Sequence, residues 1–451
     1  MVMFLQCLNT SIITVPLPEI AGDLDITVSE SSWLLLAYSL GTCALLLQFA
    51  KFGKNNRLKK LFVYGTGIFI IASAACAFLN QFLALTLMRI VQGAAISMAA
   101  AACPIIVIDY LPEDRQGYAL GSMASGTGLA MVLGPSVGGI LSQIITWHYL
   151  FLVNIPLAVM VLIGALKYLP ADRKPVKKND PDAMGSICWF IAIAASMVFL
   201  ENITAWGIEL LLPFGIAAYV GLFLLAFRLT DNKLRQPILS PGMLKNRAFL
   251  LIAISAMMGS MITEGALYLL PYLMQIAWNM DVMECRMYCC IVSVAAFVSA
   301  RFVGSYCDNH SSKVPVICSF VCTIVFDTIF TFIQPDWSLA ILVLSATMVG
   351  ITFAVFETAQ YIRMIRHTRP EYKEEAATMI TVLTYIGASL GLIAYSLMFN
   401  AAIPEAMGAE IDELTATLMT KGFNATGVLG LFLGLGGLFL ASIVKENNED
   451  E

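Results

Sequence analysis

Apolar residues in this chain neither alternate nor keep to one helical stripe. They run on for about 20 residues at a time, separated by short polar connections. A helix needs about 20 apolar residues to cross the hydrocarbon of a bilayer, so each run predicts one membrane-spanning helix. Fourteen runs are legible, at approximately 3–22, 31–50, 61–80, 83–108, 118–142, 149–168, 184–201, 208–228, 248–276, 286–305, 314–333, 338–360, 376–399 and 424–444. Continuous apolarity excludes a transmembrane β-barrel, whose strands alternate. The first run lacks a basic leader and a small-x-small cleavage site, and reads as a span rather than a cleaved signal peptide.

The polar connections carry a sidedness. With the N-terminus placed in the cytoplasm, all but three of the 26 Lys and Arg residues fall in inner connections. Arg286 and Lys421 fall outside, and Arg89 lies within a span. Dropping one helix would scramble this asymmetry, so the positive-inside rule supports an even count with both termini cytoplasmic. The longest early polar stretch, rich in proline and lysine, follows six spans, and a second precedes the last six. The expected organisation is a six-helix bundle at 1–168, a cytoplasmic linker at 169–183, two additional helices at 184–229, a cytoplasmic connection at 230–247 and a second six-helix bundle at 248–451. Two halves of this kind predict a transporter with its substrate path between them.

Composition narrows the class. The 451 residues are 59% hydrophobic and 13% charged, with a mean hydropathy of +0.80. Soluble domains hold about 45–50% apolar and about 25% charged residues, so this chain cannot cover a soluble globule of its size. A secreted domain, a nucleic-acid binder and a cytosolic enzyme are disfavoured together, and the net charge of −5 gives nucleic acid no footing. Most of the eleven cysteines sit inside apolar runs without paired C-x-x-C spacing, so neither a disulfide framework nor a metal site is expected. No phosphate-binding G-x4-G-K-[ST] loop and no nucleophile–base constellation occurs, so no cofactor, ATP drive or enzymatic role is expected.

Three local patterns carry mechanism. In the fourth span Arg89 precedes Gln92 by one helical turn, with Gly93 beside it. An arginine in a membrane helix faces protein or a wet cavity, as a functional group or as a partner for backbone carbonyls. The fifth span reads Gly128-x5-Gly134-Pro135-x-x-Gly138-Gly139, in which proline kinks the helix and the glycines let a neighbour approach. The sixth span opens with Trp147-His148-Tyr149-Leu150-Phe151 and continues to Asn154 and Pro156.

These residues resemble the major facilitator superfamily, and within it the fourteen-helix drug:proton antiporters of the EmrB/QacA type. Arg89, Gln92 and Gly93 match the R-x-x-Q-G motif, the fifth-span cluster matches the antiporter motif G-P-x-x-G-G, and Trp147–Pro156 resembles W-R-W-x-F-x-x-N-x-P. Trp33 and Tyr38 match the W-x4-Y opening of the second span. The resemblance implies an all-α integral membrane protein of the major facilitator fold, with two six-helix bundles and two extra central helices. It implies a bacterial inner-membrane exporter exchanging small amphipathic or cationic compounds for protons by alternating access. Partners would be substrate, protons, membrane lipid and, in a double-membraned cell, a periplasmic adaptor and an outer-membrane channel. Two departures stand out. Asn9 occupies the place of the family's first-span acid. Lys54 replaces the aspartate of the loop after the second span, so the salt bridge attributed to that aspartate is not expected. Lys51 and Lys59 in this loop, with Gly304 and Asp308 in its second-half counterpart, are the expected gating residues.

Proton exchange needs a carboxylate that is alternately protonated and charged. Glu264, in the middle of the ninth span, and Asp327, in the eleventh, are the candidates beside Arg89. Glu357 and Asp109 sit nearer the cytoplasmic ends, where solvent or gate contacts are expected; Glu19 and Glu201 lie near the outer face. Asn9, Gln92, Tyr268 and Tyr272 are candidate cavity residues, with Met257, Met258 and Met261 as an adaptable apolar wall or as plain helix packing. The leading expectation is a proton-coupled exporter. A carrier of one metabolite, fatty acid or siderophore, and an uncoupled membrane sensor or scaffold, are the alternatives.

Overall fold

The computed structural model describes residues 1–14, 16–26, 33–53, 58–144, 146–172, 183–202, 208–229, 240–278, 280, 282–334, 339–369, 372–403 and 416–444. Regular structure among them is helical. The helices are α1 (Val2–Thr14), α2 (Leu17–Asp23), α3 (Trp33–Gly53), α4 (Leu58–Cys76), α5 (Phe82–Tyr110), α6 (Glu113–Ile144), α7 (His148–Tyr168), α8 (Ala183–Asn202) and α9 (Ile208–Leu229). There follow α10 (Pro241–Leu244), α11 (Arg247–Ala277), α12 (Val282–Asn309), α13 (Lys313–Phe332), α14 (Leu339–Val355), a π-helix (Phe356–Gln360), α15 (Tyr361–Arg366), α16 (Lys373–Ala402) and α17 (Ala416–Ile443).

Each apolar run becomes helix because lipid offers the backbone no hydrogen bonds, and a helix satisfies its own. Ten of the described helical stretches are long and apolar enough to cross a membrane, and three shorter apolar ones lie at Val2–Ile13, Met184–Phe199 and Glu209–Leu225. The chain is therefore a multi-pass membrane protein. Two runs differ from expectation. The first is divided into α1 and α2 around Pro16, which has no N–H to continue the ladder. The twelfth, expected as one helix over 338–360, passes from α14 through the π-helix into α15.

The described helices form two compact units. The first comprises Met1–Pro112, Gly126–Leu244 and Pro370–Val382, the second Glu113–Ser125, Lys245–Arg369 and Leu383–Glu451. Helices α6 and α16 each contribute residues to both.

In the first unit α3 packs on α5, α5 on α4, α4 on α7, and α8 on α3 and α9. Small residues set these approaches, since lipid removes the hydrophobic drive between membrane helices and leaves van der Waals packing. A Cβ at Gly41 would overlap the Ile90 carbonyl, and one at Gly93 the Tyr38 carbonyl. In the second unit α13 and α11 both pack on α17, and α12 on α14. Its core holds Ile262, Leu270, Phe326, Phe330, Tyr395 and Phe423. Large apolar side chains remain exposed on the outer faces, among them Ile71, Phe78, Tyr219, Phe302, Phe432 and Phe439. In water such a surface would aggregate; in a bilayer it is the lipid contact.

Candidate functional site

The first unit encloses a polar cluster built from α1, α3, α4, α5 and α7. Arg89, fully buried on α5, donates from Nε to the Leu34 carbonyl at 3.0 Å and from Nη1 to Gln92 Oε1 at 2.8 Å. Gln92 Nε2 donates in turn to Ser73 Oγ at 2.7 Å. The guanidinium lies 4.4 Å above the Tyr38 ring and 5.9 Å from that of Phe151. Tyr38 donates its hydroxyl to the Gln6 carbonyl at 3.0 Å. These partners of Arg89 are all neutral, and its Nη2 has no hydrogen-bond partner among the described residues.

Asn9, fully buried on α1, accepts from Asn154 Nδ2 at 2.8 Å. The sixth-span signature thereby acquires physical meaning. Trp147 Nε1 donates to Asp23 Oδ2 at 2.8 Å, Phe151 stands beside Arg89, and Asn154 holds Asn9. The antiporter motif faces α1: a Cβ at Gly134 would overlap Ser11, and one at Gly138 the Ile12 carbonyl. Ser11 reinforces this contact by donating to the Ala130 carbonyl at 3.1 Å. Gly128 is buried on the same helix. The surroundings of Pro135 and Gly139 lie outside the described residues.

The second unit holds the acids. Asp327 on α13 is 1% exposed, and its Oδ2 has no hydrogen-bond partner among the described residues. Gly430 on α17 makes room for it, since a Cβ there would overlap the carboxylate. The ring of Tyr395 on α16 occupies the space that a side chain at Gly265 would need, and its hydroxyl is likewise without a partner among the described residues. Glu264, half-buried on α11, adjoins Gly265.

Glu357, expected to contact solvent or a gate partner, is half-buried on the π-helix within electrostatic reach of Glu264. Two contacts hold that turn against α11: Gln360 Nε2 donates to Ser255 Oγ at 2.9 Å, and the Phe356 ring covers Gly259. No lysine, arginine or histidine among the described residues lies within ion-pair distance of Glu264, Asp327 or Glu357. Tyr268 and Tyr272 stand on α11, with side chains outside the described residues.

The expected gating residues divide. Lys51, in the last turn of α3, pairs with Glu375 at 2.5 Å. Asp308, at the end of α12, accepts the N–H groups of Gly117 and Tyr118 at 2.6 and 2.8 Å, close to the positive end of α6. Gly304 keeps this approach open, because a Cβ there would overlap the Gly117 carbonyl. Lys59 instead donates to the Leu166 and Leu169 carbonyls at 3.0 and 2.7 Å, closing the C-terminus of α7. Lys54 lies outside the described residues. Nothing in the sequence marks Glu375 for this contact, because it sits in a charged run, Lys373-Glu374-Glu375, that looks like a solvated loop.

The profile of the Major Facilitator Superfamily matches residues 1–392. The chain belongs to the Major Facilitator Superfamily. Among curated members of this superfamily, the riboflavin transporter RibZ of Clostridioides difficile is 24% identical over 89% of this chain and 87% of its own length. Multidrug resistance protein 3 of Bacillus subtilis is 22% identical over 86% and 76%. The multidrug export protein EmrB of Escherichia coli is 23% identical over 70% of this chain and 62% of its own length. The fold agrees with the crystal structure of the human organic anion transporter MFSD10 (TETRAN), at a TM-score of 0.63 over 98% of this chain and 97% of that one, with 13% identity. This chain is thus a membrane transporter of the superfamily, with named multidrug exporters among its relatives.

Proposed function

We propose that the protein is a proton-coupled antiporter that exports amphipathic or cationic compounds by alternating access. The observation that carries this reading is the set of carboxylates in the second unit, Glu264, Asp327 and Glu357, with no cation in ion-pair reach among the described residues. A charged carboxylate in such surroundings is costly, and either a proton or a cationic cargo removes the cost. Because both neutralise the same group, they compete, and that competition is exchange. Arg89 supplies fixed positive charge in the other unit. Lys51, Gly304 and Asp308 would serve the gate, and Asn9, Gln92, Tyr268 and Tyr272 the cargo path. We place fourteen spans in a bacterial inner membrane with both termini cytoplasmic.

A second reading keeps the fold and changes the cargo to a neutral, flat, hydrogen-bonding metabolite. The Asn9–Asn154 amide pair, standing where the family carries an acid, favours it, as does the riboflavin transporter among the relatives.

Proteoliposomes holding the purified protein and a pH-sensitive dye separate the two. Ethidium should move protons in wild type and not in Glu264→Gln or Asp327→Asn. Riboflavin uptake that ignores both substitutions would favour the neutral-cargo reading. Substrate movement without any proton flux would remove the coupling.

A further inference from the structure

We infer that the two-helix insert α8–α9 is tied to α3 and to the first turn of α16 through one buried acid, Glu375. This residue is 3% exposed and accepts three hydrogen bonds from the described residues. One comes from Lys51 Nζ at 2.5 Å, one from the Ser240 N–H at 2.5 Å and one from the Ser240 hydroxyl at 2.7 Å. Lys51 ends α3, while Ser240 closes the connection that leaves the insert and stands just before α10. Tyr372, three residues before Glu375, rests against Gly242, where a Cβ would come within 2.7 Å of its hydroxyl. One turn before Lys51, Gln48 Nε2 donates to the Ser186 carbonyl at 3.2 Å, in the first turn of α8. The last two turns of α3 therefore touch the entry of the insert directly and its exit through Glu375.

Charge makes this junction more than packing. Removing one partner leaves the other charge buried and unpaired, so Lys51, Ser240 and Glu375 hold or release together. The acid also stands at a sensitive place. Residues of α16 up to Val382 belong to the first unit and those from Leu383 to the second, so whatever restrains Glu375 restrains a helix shared by both. A displacement that pulls Ser240 away from Glu375 would weaken the Lys51 pair and free the first turn of α16. The insert is then a regulator of the transport cycle, and this role rests on the transporter reading; the tie itself does not.

Hydrogen–deuterium exchange on the full-length protein in detergent tests the tie without any cargo. Lys51→Glu should accelerate exchange at least about tenfold in both 240–246 and 373–382, since it opposes two like charges in a buried site. The double exchange Lys51→Glu with Glu375→Lys restores the ion pair but removes the acceptor for Ser240. It should re-protect 373–382 and leave 240–246 loose. Ser240→Ala, a mild change that spares the ion pair, should loosen 240–246 alone. It should also shift the ethidium transport rate at least about threefold. Recovery of 240–246 in the double variant, or unchanged exchange there in all three, overturns the tie. A loosened Ser240→Ala protein that transports at the wild-type rate overturns its regulatory role. Exchange behaving as expected in a protein that moves no cargo leaves the tie standing and counts against the antiporter reading alone.

Discussion

Arg89 Nη1 and Gln92 Oε1 lie 2.8 Å apart on one face of α5, and Gln92 carries the bond onward to Ser73 Oγ on α4 at 2.7 Å. The spacing of the R-x-x-Q motif is thus the i, i+3 geometry of a helix turned to hold a buried guanidinium. Gln92→Leu leaves one Arg89 donor and the Ser73 hydroxyl without this link, and should cost about 1–3 kcal/mol. Arg89→Lys cannot reach the Leu34 carbonyl and Gln92 together with a single ammonium, and should lower transport more than stability. Thermal unfolding in detergent, read beside transport per folded molecule, checks both.

Gly138→Ala should be severe and Gly126→Ala mild, although both lie on α6. A Cβ at Gly138 overlaps the Ile12 carbonyl, which is backbone and cannot swing away. A Cβ at Gly126 meets Phe4 at 3.6 Å, an ordinary contact. The measurement is the yield of monodisperse protein by fluorescence-detected size exclusion. Equal yields would mean that α1 and α6 do not approach at the antiporter motif.

Gly430→Ala should act on the acid it faces. The new methyl falls on the Asp327 carboxylate, so α13 and α17 must separate or the side chain must rotate. The expected result is impaired proton-coupled transport together with an overpacking cost of about 1–3 kcal/mol. If Asp327→Asn already abolishes coupling, adding Gly430→Ala should lower stability further and leave the residual flux unchanged. Flux and unfolding temperature, measured on the same preparations, separate the two effects.

Lys59→Ala should leave the transport rate per folded molecule within about twofold of wild type. Its ammonium closes the α7 carbonyls of Leu166 and Leu169, a capping contact near the surface that contributes about 0.3–1 kcal/mol. Lys51→Ala, by contrast, leaves Glu375 buried without its cation and should change the rate. A matching loss in both variants would return Lys59 to the gate.

The sequence alone determined the multi-pass membrane character, the helical class and the family, because each is written in one dimension. Some 20 continuous apolar residues have few foldings available in lipid, and R-x-x-Q or G-P-x-x-G-G is a spacing within one helix. Arg89, Gln92, Gly134 and Gly138 could therefore be singled out before any contact was known. The tertiary structure decided what those residues touch. Asn154 meets Asn9 across 145 positions of chain, Glu375 meets Lys51 across 324, and Glu357 sits half-buried on a π-helix that no apolar pattern announces. An ion pair depends on where two distant helix ends arrive. A lysine and a glutamate at helix ends look alike in sequence whether they face water or one another, and only the packing of α3 beside the start of α16 distinguishes them.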